Sequence, residues 1–151
     1  IAFGPENLRL KRNEINRRVE GALAMVGLSE RAEDRPQLLS GGQKRRLTIA
    51  GILAMEPAIL VFDEPFSNLD FPGIISVLRQ IVSLHQQGHT ILLTTHDLEK
   101  VIAHADRLLI MDKGSVVRDD KPQSLFQELE QFGVREPCTS RMGREVSSWL
   151  E

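Results

Sequence analysis

The sequence predicts an α/β fold in which a mostly parallel sheet with flanking helices is joined to a separate helical lobe. Three short apolar runs, at residues 58–62, 90–95 and 107–111, are typical of buried strands. Helix-length segments separate these runs, and alternating strands and helices form a parallel sheet with right-handed crossovers. Residues 1–56 contain no strand-like run, so they are expected to form the helical lobe.

The helical lobe is predicted to hold two helices. Apolar residues recur at helical spacing between residues 13 and 28. A second helix covers about residues 41–55 and ends before Pro57, because a residue that precedes proline avoids helical geometry.

The rest of the chain supplies the remaining elements of the predicted sheet. Helices are expected at residues 72–87, 97–103 and 122–132. Lys113 and Gly114 favour a tight turn, so the third apolar run and residues 115–117 form a hairpin. We therefore divide the chain into a helical lobe (1–56), an α/β core (57–132) and a tail (133–151).

Composition limits the classes of protein to consider. The chain has 151 residues, of which 41% are hydrophobic and 26% charged, as in a soluble globular domain. Its net charge of -2 argues against a nucleic-acid partner. No apolar run approaches the ~18 residues of a membrane span. The single cysteine, Cys138, excludes an internal disulfide and indicates a reducing compartment, so we expect a cytoplasmic protein.

Ser40, Gly41, Gly42 and Gln43 mark the start of the second helix. Serine followed three residues later by glutamine is a capping box, which explains Ser40 and Gln43 in purely structural terms. It does not explain two adjacent glycines, each of which costs about 0.5–1 kcal/mol relative to alanine inside a helix. Because a helix N-terminus with accessible N–H groups binds anions, phosphate binding is the competing interpretation.

Acidic residues follow the first predicted strand, and a histidine follows the second. Asp63 and Glu64 come directly after four large apolar residues, where ligands bind in such sheets. They could equally mark only the exit of the chain to solvent. His96 follows the next strand at the same sheet edge. A lone histidine there is more often structural than catalytic, and its position beside the acid pair is what favours catalysis.

Residues 67–70 have two interpretations. Ser67, Asn68 and Asp70 are typical turn residues, so the segment could serve only to start the helix near Pro72. Its position just beyond Glu64 also permits a contact with a second subunit.

Together these motifs resemble the C-terminal half of an ATP-binding-cassette (ABC) ATPase, a P-loop NTPase-like fold. Residues 39–43 resemble its signature, residues 59–64 its Walker B motif, residues 67–70 its D-loop and His96 its switch histidine. The resemblance implies that Glu64 polarises the water that attacks the γ-phosphate of ATP and that His96 orients it. It also implies that Asp63 holds Mg²⁺, usually through water.

The resemblance extends to partners. Two such domains pair head to tail, so Ser40, Gly41, Gly42 and Gln43 would contact ATP held by the other subunit, and Asp70 would lie at the contact between subunits. The helical lobe would touch a transmembrane transporter subunit at the inner face of the cell membrane. Residues 2–8 and 39–50 look most like ATPases of energy-coupling-factor importers for vitamins, cobalt or nickel. Asn68 departs from the commoner small residue of the D-loop.

One motif of the family does not occur in these 151 residues. No G-x-x-x-x-G-K-[ST] phosphate loop is present, so the chain looks like a C-terminal fragment that lacks the phosphate-loop strand. We expect it neither to bind nor to hydrolyse ATP by itself. In the family, the absent strand lies between the strand before His96 and the strand at 107–111. Its absence leaves an unpaired edge on each of those two strands. We therefore expect the chain to self-associate or to bring those strands together.

Two other functions fit part of the pattern. The first is the C-terminal lobe of a repair- or chromosome-type ABC ATPase. Against it, no heptad pattern of a coiled coil precedes residue 39, and the net negative charge of the chain offers no DNA-binding face. The second is a non-catalytic module that completes the ATP site of a partner.

Overall fold

The protein is described from a computed structural model, which covers residues 1–143 and 146–150. The chain divides into two compact units, Ile1–Leu60 and Val61–Glu151. The α-helices are α1 (Phe3–Asn7), α2 (Arg12–Met25), α3 (Gly41–Leu53), α4 (Phe71–Gln86), α5 (Pro122–Leu125) and α6 (Cys138–Arg141). The strands are β1 (Ile59–Asp63), β2 (Thr90–Thr94), β3 (Leu108–Asp112) and β4 (Ser115–Asp120).

Helices α2 and α3 provide the core of the first unit. The buried apolar residues of this unit are Ala22, Leu23, Val26, Leu28, Leu39, Ile49, Ala50, Leu53 and Ala54. Both helices were predicted. The first ends at Met25 rather than at residue 28, because Gly27 adopts a φ of 67°, which continues no right-handed helix.

Helix α1 was not predicted, because its short sequence contains a glycine and a proline. Pro5 fits the first turn of a helix, where its missing N–H has no partner to lose, and it is buried. A Cβ built at Gly4 would lie 2.7 Å from the side chain of Met55, so a larger residue there would require that side chain to shift. This close approach favours glycine at a position that sequence patterns assign to a loop.

Ion pairs join α2 to the segment after α3. Arg17 and Arg18 both bind the carboxylate of Glu14, and both also contact Glu56. Hydrogen bonds from Arg17 and then Arg18 lower the pKa of Glu14 to about 2. The Glu14 carboxylate is therefore ionised over the whole physiological pH range.

The second unit contains the predicted alternation of strands and helices. Strands β1 and β2 are hydrogen-bonded neighbours, and contacts between their C-terminal ends show that they run parallel. Helix α4 buries Ile74, Val77, Leu78 and Ile81 in a cluster with Phe66. We call these five residues the α4 cluster.

The predicted hairpin is confirmed, and it is longer than expected. Strands β3 and β4 pair antiparallel, with a register shift between Ile110 and Met111. The turn residues Lys113 and Gly114 both have positive φ, at 48° and 80°, as a two-residue hairpin turn requires. A second buried cluster, which includes Leu98, Ile102 and Ile110, lies against the hairpin.

Two of the predicted helices differ in detail. Residues 97–103 form two 3₁₀ turns, Leu98–Lys100 and Ile102–His104, rather than one α-helix. Residues 122–132 begin as α5 and continue as a 3₁₀ helix, Phe126–Phe132. Apolar spacing at three or four residues fits both helix types, so the sequence pattern could not separate them.

Strands β2 and β3 lie in different sheets in the part of the chain that the structure describes. The expectation that these strands come together is therefore wrong for the single chain. On β3, Ile110 is buried in the cluster beside the hairpin and Leu108 packs against it, whereas Leu109 and Met111 stay exposed. Self-association stays a prediction.

Several of the described residues beyond 132 pack within the second unit. Val146 contacts the cluster beside the hairpin, and Trp149 and Leu150 contact the α4 cluster. Within the described residues, no helix is both long enough and apolar enough to cross a membrane.

Candidate active site

The first element of the site is the sharp turn that follows β1. Glu64 has a φ of 43°, a left-handed conformation that costs a residue other than glycine of the order of 1 kcal/mol or more. Its backbone N–H donates to the carbonyl of Thr94 at 3.0 Å, which fixes the turn against the end of β2. The turn thus places the Glu64 side chain at the shared C-terminal edge of the two strands.

Glu64 and His96 meet at this edge. The His96 Nδ1 lies 2.8 Å from Oε1 of Glu64, and the His96 backbone N–H donates to the same oxygen at 3.1 Å. A carboxylate can only accept, so Nδ1 carries the proton in this contact. The His96 side chain is 84% exposed, so its Nε2 can reach a ligand. Because both contacts use Oε1, Oε2 remains available to a water molecule.

Asp63 occupies a different position at the same edge. Its Oδ1 accepts a hydrogen bond from the hydroxyl of Thr94, across the two parallel strands. Glu64 lies in the turn beyond β1 and contacts His96 instead, so the two carboxylates have different partners and can take separate roles. The sequence-based prediction named both acids without indicating that Thr94 would orient one of them.

A cleft of about 420 Å³ opens between these loops. It is lined by Glu64, Phe66, Ser67, Asn68, Leu69, Ile74, Thr95, His96, Asp97 and Lys100. Lys100 pairs with Asp97 at 2.8 Å, and its ammonium lies 5.8 Å from the centroid of the Phe66 ring. The cleft therefore combines acidic groups, an imidazole and an ammonium, with apolar residues beneath them.

Asp70 begins α4, as one of its two interpretations predicted. Its side chain accepts a hydrogen bond from the backbone N–H of Gly73 at 3.0 Å. A Cβ at Gly73 would lie 2.7 Å from Oδ1 of Asp70, so this cap requires glycine. The cap uses Oδ1, and Asp70 is exposed, so the geometry does not prevent a contact with a second subunit.

The signature residues lie in the first unit and form the predicted capping box. The Ser40 hydroxyl accepts from the backbone N–H of Gln43 at 3.3 Å, and the Gln43 side chain accepts from the backbone N–H of Ser40 at 2.8 Å. Gly41 and Gly42 are exposed, and a Cβ at either would meet nothing within 4 Å. Packing inside this chain therefore gives no reason for glycine at these two positions.

Two residues of the site were missed by sequence reasoning. The sequence pattern identifies Thr94 only as the end of a strand, although a hydroxyl beside a strand-end aspartate can donate a hydrogen bond to it. Lys100 lies four residues after His96, and no pattern distinguishes it from an ordinary surface lysine. Its pairing with Asp97 and its contact with Phe66 become visible only in three dimensions.

Comparison with known proteins finds relatives of this chain. The family model described as ABC transporter matches residues 4–67. The chain is 43% identical to Energy-coupling factor transporter ATP-binding protein EcfA2 of Clostridium tetani, over 97% of this chain and 53% of that protein. It is 47% identical to Energy-coupling factor transporter ATP-binding protein EcfA1 of Caldanaerobacter subterraneus, over 97% of this chain and 54% of that protein. The chain thus spans about half the length of these curated relatives.

A solved structure shows the same arrangement of elements. The cbiO1 protein of Clostridium perfringens, described as part of the ABC transporter complex cbiONQ, matches with a TM-score of 0.73 and 34% identity. The match covers 94% of this chain and 57% of that one. The predicted fold class, a partial ABC ATPase fold, is therefore confirmed. From its motifs, its relatives and its fold, this chain belongs to the family of ABC transporter ATP-binding proteins.

Proposed function

We propose that this chain supplies the signature, the catalytic glutamate and the switch histidine of an ATP-hydrolysing subunit in an importer of the energy-coupling-factor type. The contact between Glu64 and His96 at the edge of two parallel strands carries the proposal. The names of the relatives support the class of transporter. The solute itself is chosen by other subunits of such importers.

Glu64 is the group that prepares water for attack on the γ-phosphate. Its Oε2 accepts a hydrogen bond from the water, while Oε1 is held by two contacts from His96. Those contacts fix the carboxylate in one orientation, which is the main protein contribution in phosphoryl transfer. A phosphate oxygen only accepts, so His96 donates to the γ-phosphate from its exposed Nε2 in the imidazolium form, in which both ring nitrogens carry a proton. One side chain then orients both reacting partners.

Asp63 is the residue that would hold Mg²⁺. Its carboxylate is exposed at the end of β1 and is oriented by the Thr94 hydroxyl. Mg²⁺ prefers one or two carboxylates together with water and phosphate oxygens, and a single oriented aspartate fits that preference. The ion neutralises charge on the phosphates of bound ATP.

The signature residues act on a different nucleotide. Ser40, Gly41, Gly42 and Gln43 present a helix N-terminus to solvent, and the exposed glycines let a phosphate approach the bare backbone. We infer that they bind ATP held by a second ATPase subunit and that Asp70 contacts that subunit. The helical lobe, residues 1–56, would bind the transmembrane subunit at the inner face of the cell membrane, with no nucleic-acid partner.

The direct test uses a chimaera in which this chain replaces the matching part of the Clostridium tetani relative. We expect the chimaera to hydrolyse ATP in the presence of Mg²⁺. A folded chimaera that binds ATP but does not hydrolyse it would contradict the proposal.

Alone, the 151-residue chain is expected to bind no ATP measurably. Micromolar binding requires about 8 kcal/mol, whereas a helix N-terminus contributes about 0.3–1 kcal/mol to an anion and ~2 kcal/mol when partly buried. Titration calorimetry with MgATP should therefore show no binding isotherm. An affinity near 10 μM, about 7 kcal/mol on the same scale, would contradict this prediction.

The chain is also expected to self-associate. One face of the β1–β2 sheet exposes Ile59, Val61 and Leu92, and the hairpin exposes Leu109 and Met111. Exposed apolar residues on unpaired strands favour pairing between chains. Light scattering should show a mass above that of one chain at micromolar concentration. A monomer over the whole accessible concentration range would refute the prediction.

A further inference from the structure

The last described residues of the chain contact both segments that flank the cleft. We call residues 146–150 the C-terminal strap. Val146 packs against the buried cluster that includes Leu98 and Ile102, which follow His96 in the chain. Trp149 packs against the α4 cluster, which follows Glu64. The strap thus touches both the segment that follows Glu64 and the segment that follows His96.

One end of the strap lies at the start of α4. The ring centroids of Trp149 and Phe71 are 6.0 Å apart, with 38° between the ring planes, a favourable tilted arrangement. Phe71 is the first residue of α4 and follows Asp70 directly. The α4 cluster against which Trp149 packs also contains Phe66 and Ile74, which line the cleft. The indole therefore packs against the cluster that supplies part of the cleft wall.

The other contact lies at the 3₁₀ turns after His96. Oγ of Ser148 is 2.8 Å from Nε2 of His104, the last residue of these turns. The same hydroxyl accepts from the backbone N–H of Leu150 at 3.0 Å, which fixes the strap backbone around it. Ser148 therefore ties the strap to the segment that begins two residues beyond His96.

We propose that the C-terminal strap positions His96 against Glu64. Trp149 acts through Phe71 and the α4 cluster on the Glu64 side of the cleft, and Ser148 acts through His104 on the His96 side. Neither strap residue touches a reacting atom, so both are positioning residues. The importance of the strap for catalysis rests on the proposed function, whereas its effect on geometry does not.

The test follows the His96 ring by NMR in the 151-residue chain without nucleotide. The sequence has four histidines, and His96→Gln assigns the resonance. Glu64→Ala removes the acceptor and gives the ring ¹⁵N chemical shifts of a His96 without this contact. We expect Trp149→Ala and Ser148→Ala to move the wild-type resonances toward those shifts. The change for Trp149→Ala should exceed half of the chemical-shift difference between the wild type and that reference. Trp149→Phe keeps a ring at the site and should restore most of the wild-type position.

Controls separate positioning from loss of structure. Met142 is exposed and close to the strap in sequence, and Met142→Ala should leave the His96 resonances in place. Trp149 is the only tryptophan, so its fluorescence reports whether the strap is docked, and Phe71→Ala should shift the emission to longer wavelength. If Trp149→Ala does not fold, Ser148→Ala should still shift the His96 resonances, and Trp149→Phe should leave them near the wild-type position.

Two outcomes would overturn the proposal. The first is a wild-type emission maximum equal to that of free tryptophan, which means that the strap is not docked. The second is an unchanged His96 resonance in folded Trp149→Ala or Ser148→Ala when the His104 resonance of that variant, or the tryptophan emission of Ser148→Ala, has changed. Both are independent of ATP hydrolysis, so failure of the strap proposal is distinguishable from failure of the proposed function.

Discussion

Replacing Glu64 by glutamine in the chimaera should lower kcat for ATP hydrolysis by about 10²–10⁴-fold, the usual contribution of a general base. Glutamine keeps the shape of the side chain and can still accept from the His96 backbone N–H, so the turn after β1 should persist. It cannot take a proton from water at neutral pH. We therefore expect ATP binding to change little, and steady-state kinetics together with nucleotide titration should separate the two effects.

The matched control is Glu130→Gln, the same chemical change at an exposed carboxylate far from the cleft in sequence. It should leave kcat unchanged. An unchanged kcat in the Glu64→Gln chimaera would show that another group activates the water. A drop in kcat of equal size for Glu130→Gln would show that the loss reflects general damage to the protein.

A double-mutant cycle extends this prediction to the contact itself. His96→Ala should also lower kcat, because it removes the group that orients Glu64 and reaches the γ-phosphate. Since the two side chains share one hydrogen bond, the double variant should lose much less than the product of the single effects. Effects that multiply would indicate that Glu64 and His96 act independently, contrary to their 2.8 Å contact.

The order of elements could be read from the sequence because each carries a local physical cause. Ala58–Phe62 is wholly apolar and too short for a helix, and β1 covers Ile59–Asp63. The capping box depends only on Ser40 and Gln43, three residues apart, and both of its hydrogen bonds are present. Acids and an imidazole at the ends of neighbouring parallel strands must share an edge, which brings Glu64 to His96.

Features that depend on distant contacts could not be read in this way. The left-handed φ of Glu64 is stabilised by the carbonyl of Thr94, thirty residues on, and glutamate has no preference for that conformation. Helix α1 places Gly4 against the side chain of Met55, a residue distant in sequence. Trp149 lies in a segment without periodicity, so nothing local predicted that its ring would meet Phe71.

Replacing Leu78 by alanine should destabilise the second unit by about 2–5 kcal/mol, the range for a buried leucine. Leu78 is 1% exposed and lies at the centre of the α4 cluster. Because whole domains are stable by only about 5–15 kcal/mol, this is a large share of the total. Urea unfolding followed by circular dichroism should show a lower midpoint with little change in slope.

Leu92→Ala provides the control within the same unit. Leu92 is 48% exposed on β2, so the same deletion of atoms removes much less buried surface and should cost much less free energy. Equal losses for the two variants would contradict the packing described here. The α4 cluster shares Phe66 and Ile74 with the cleft wall, so a cavity at Leu78 should also loosen the site. In the chimaera, Leu78→Ala should therefore lower kcat under conditions where the protein remains folded.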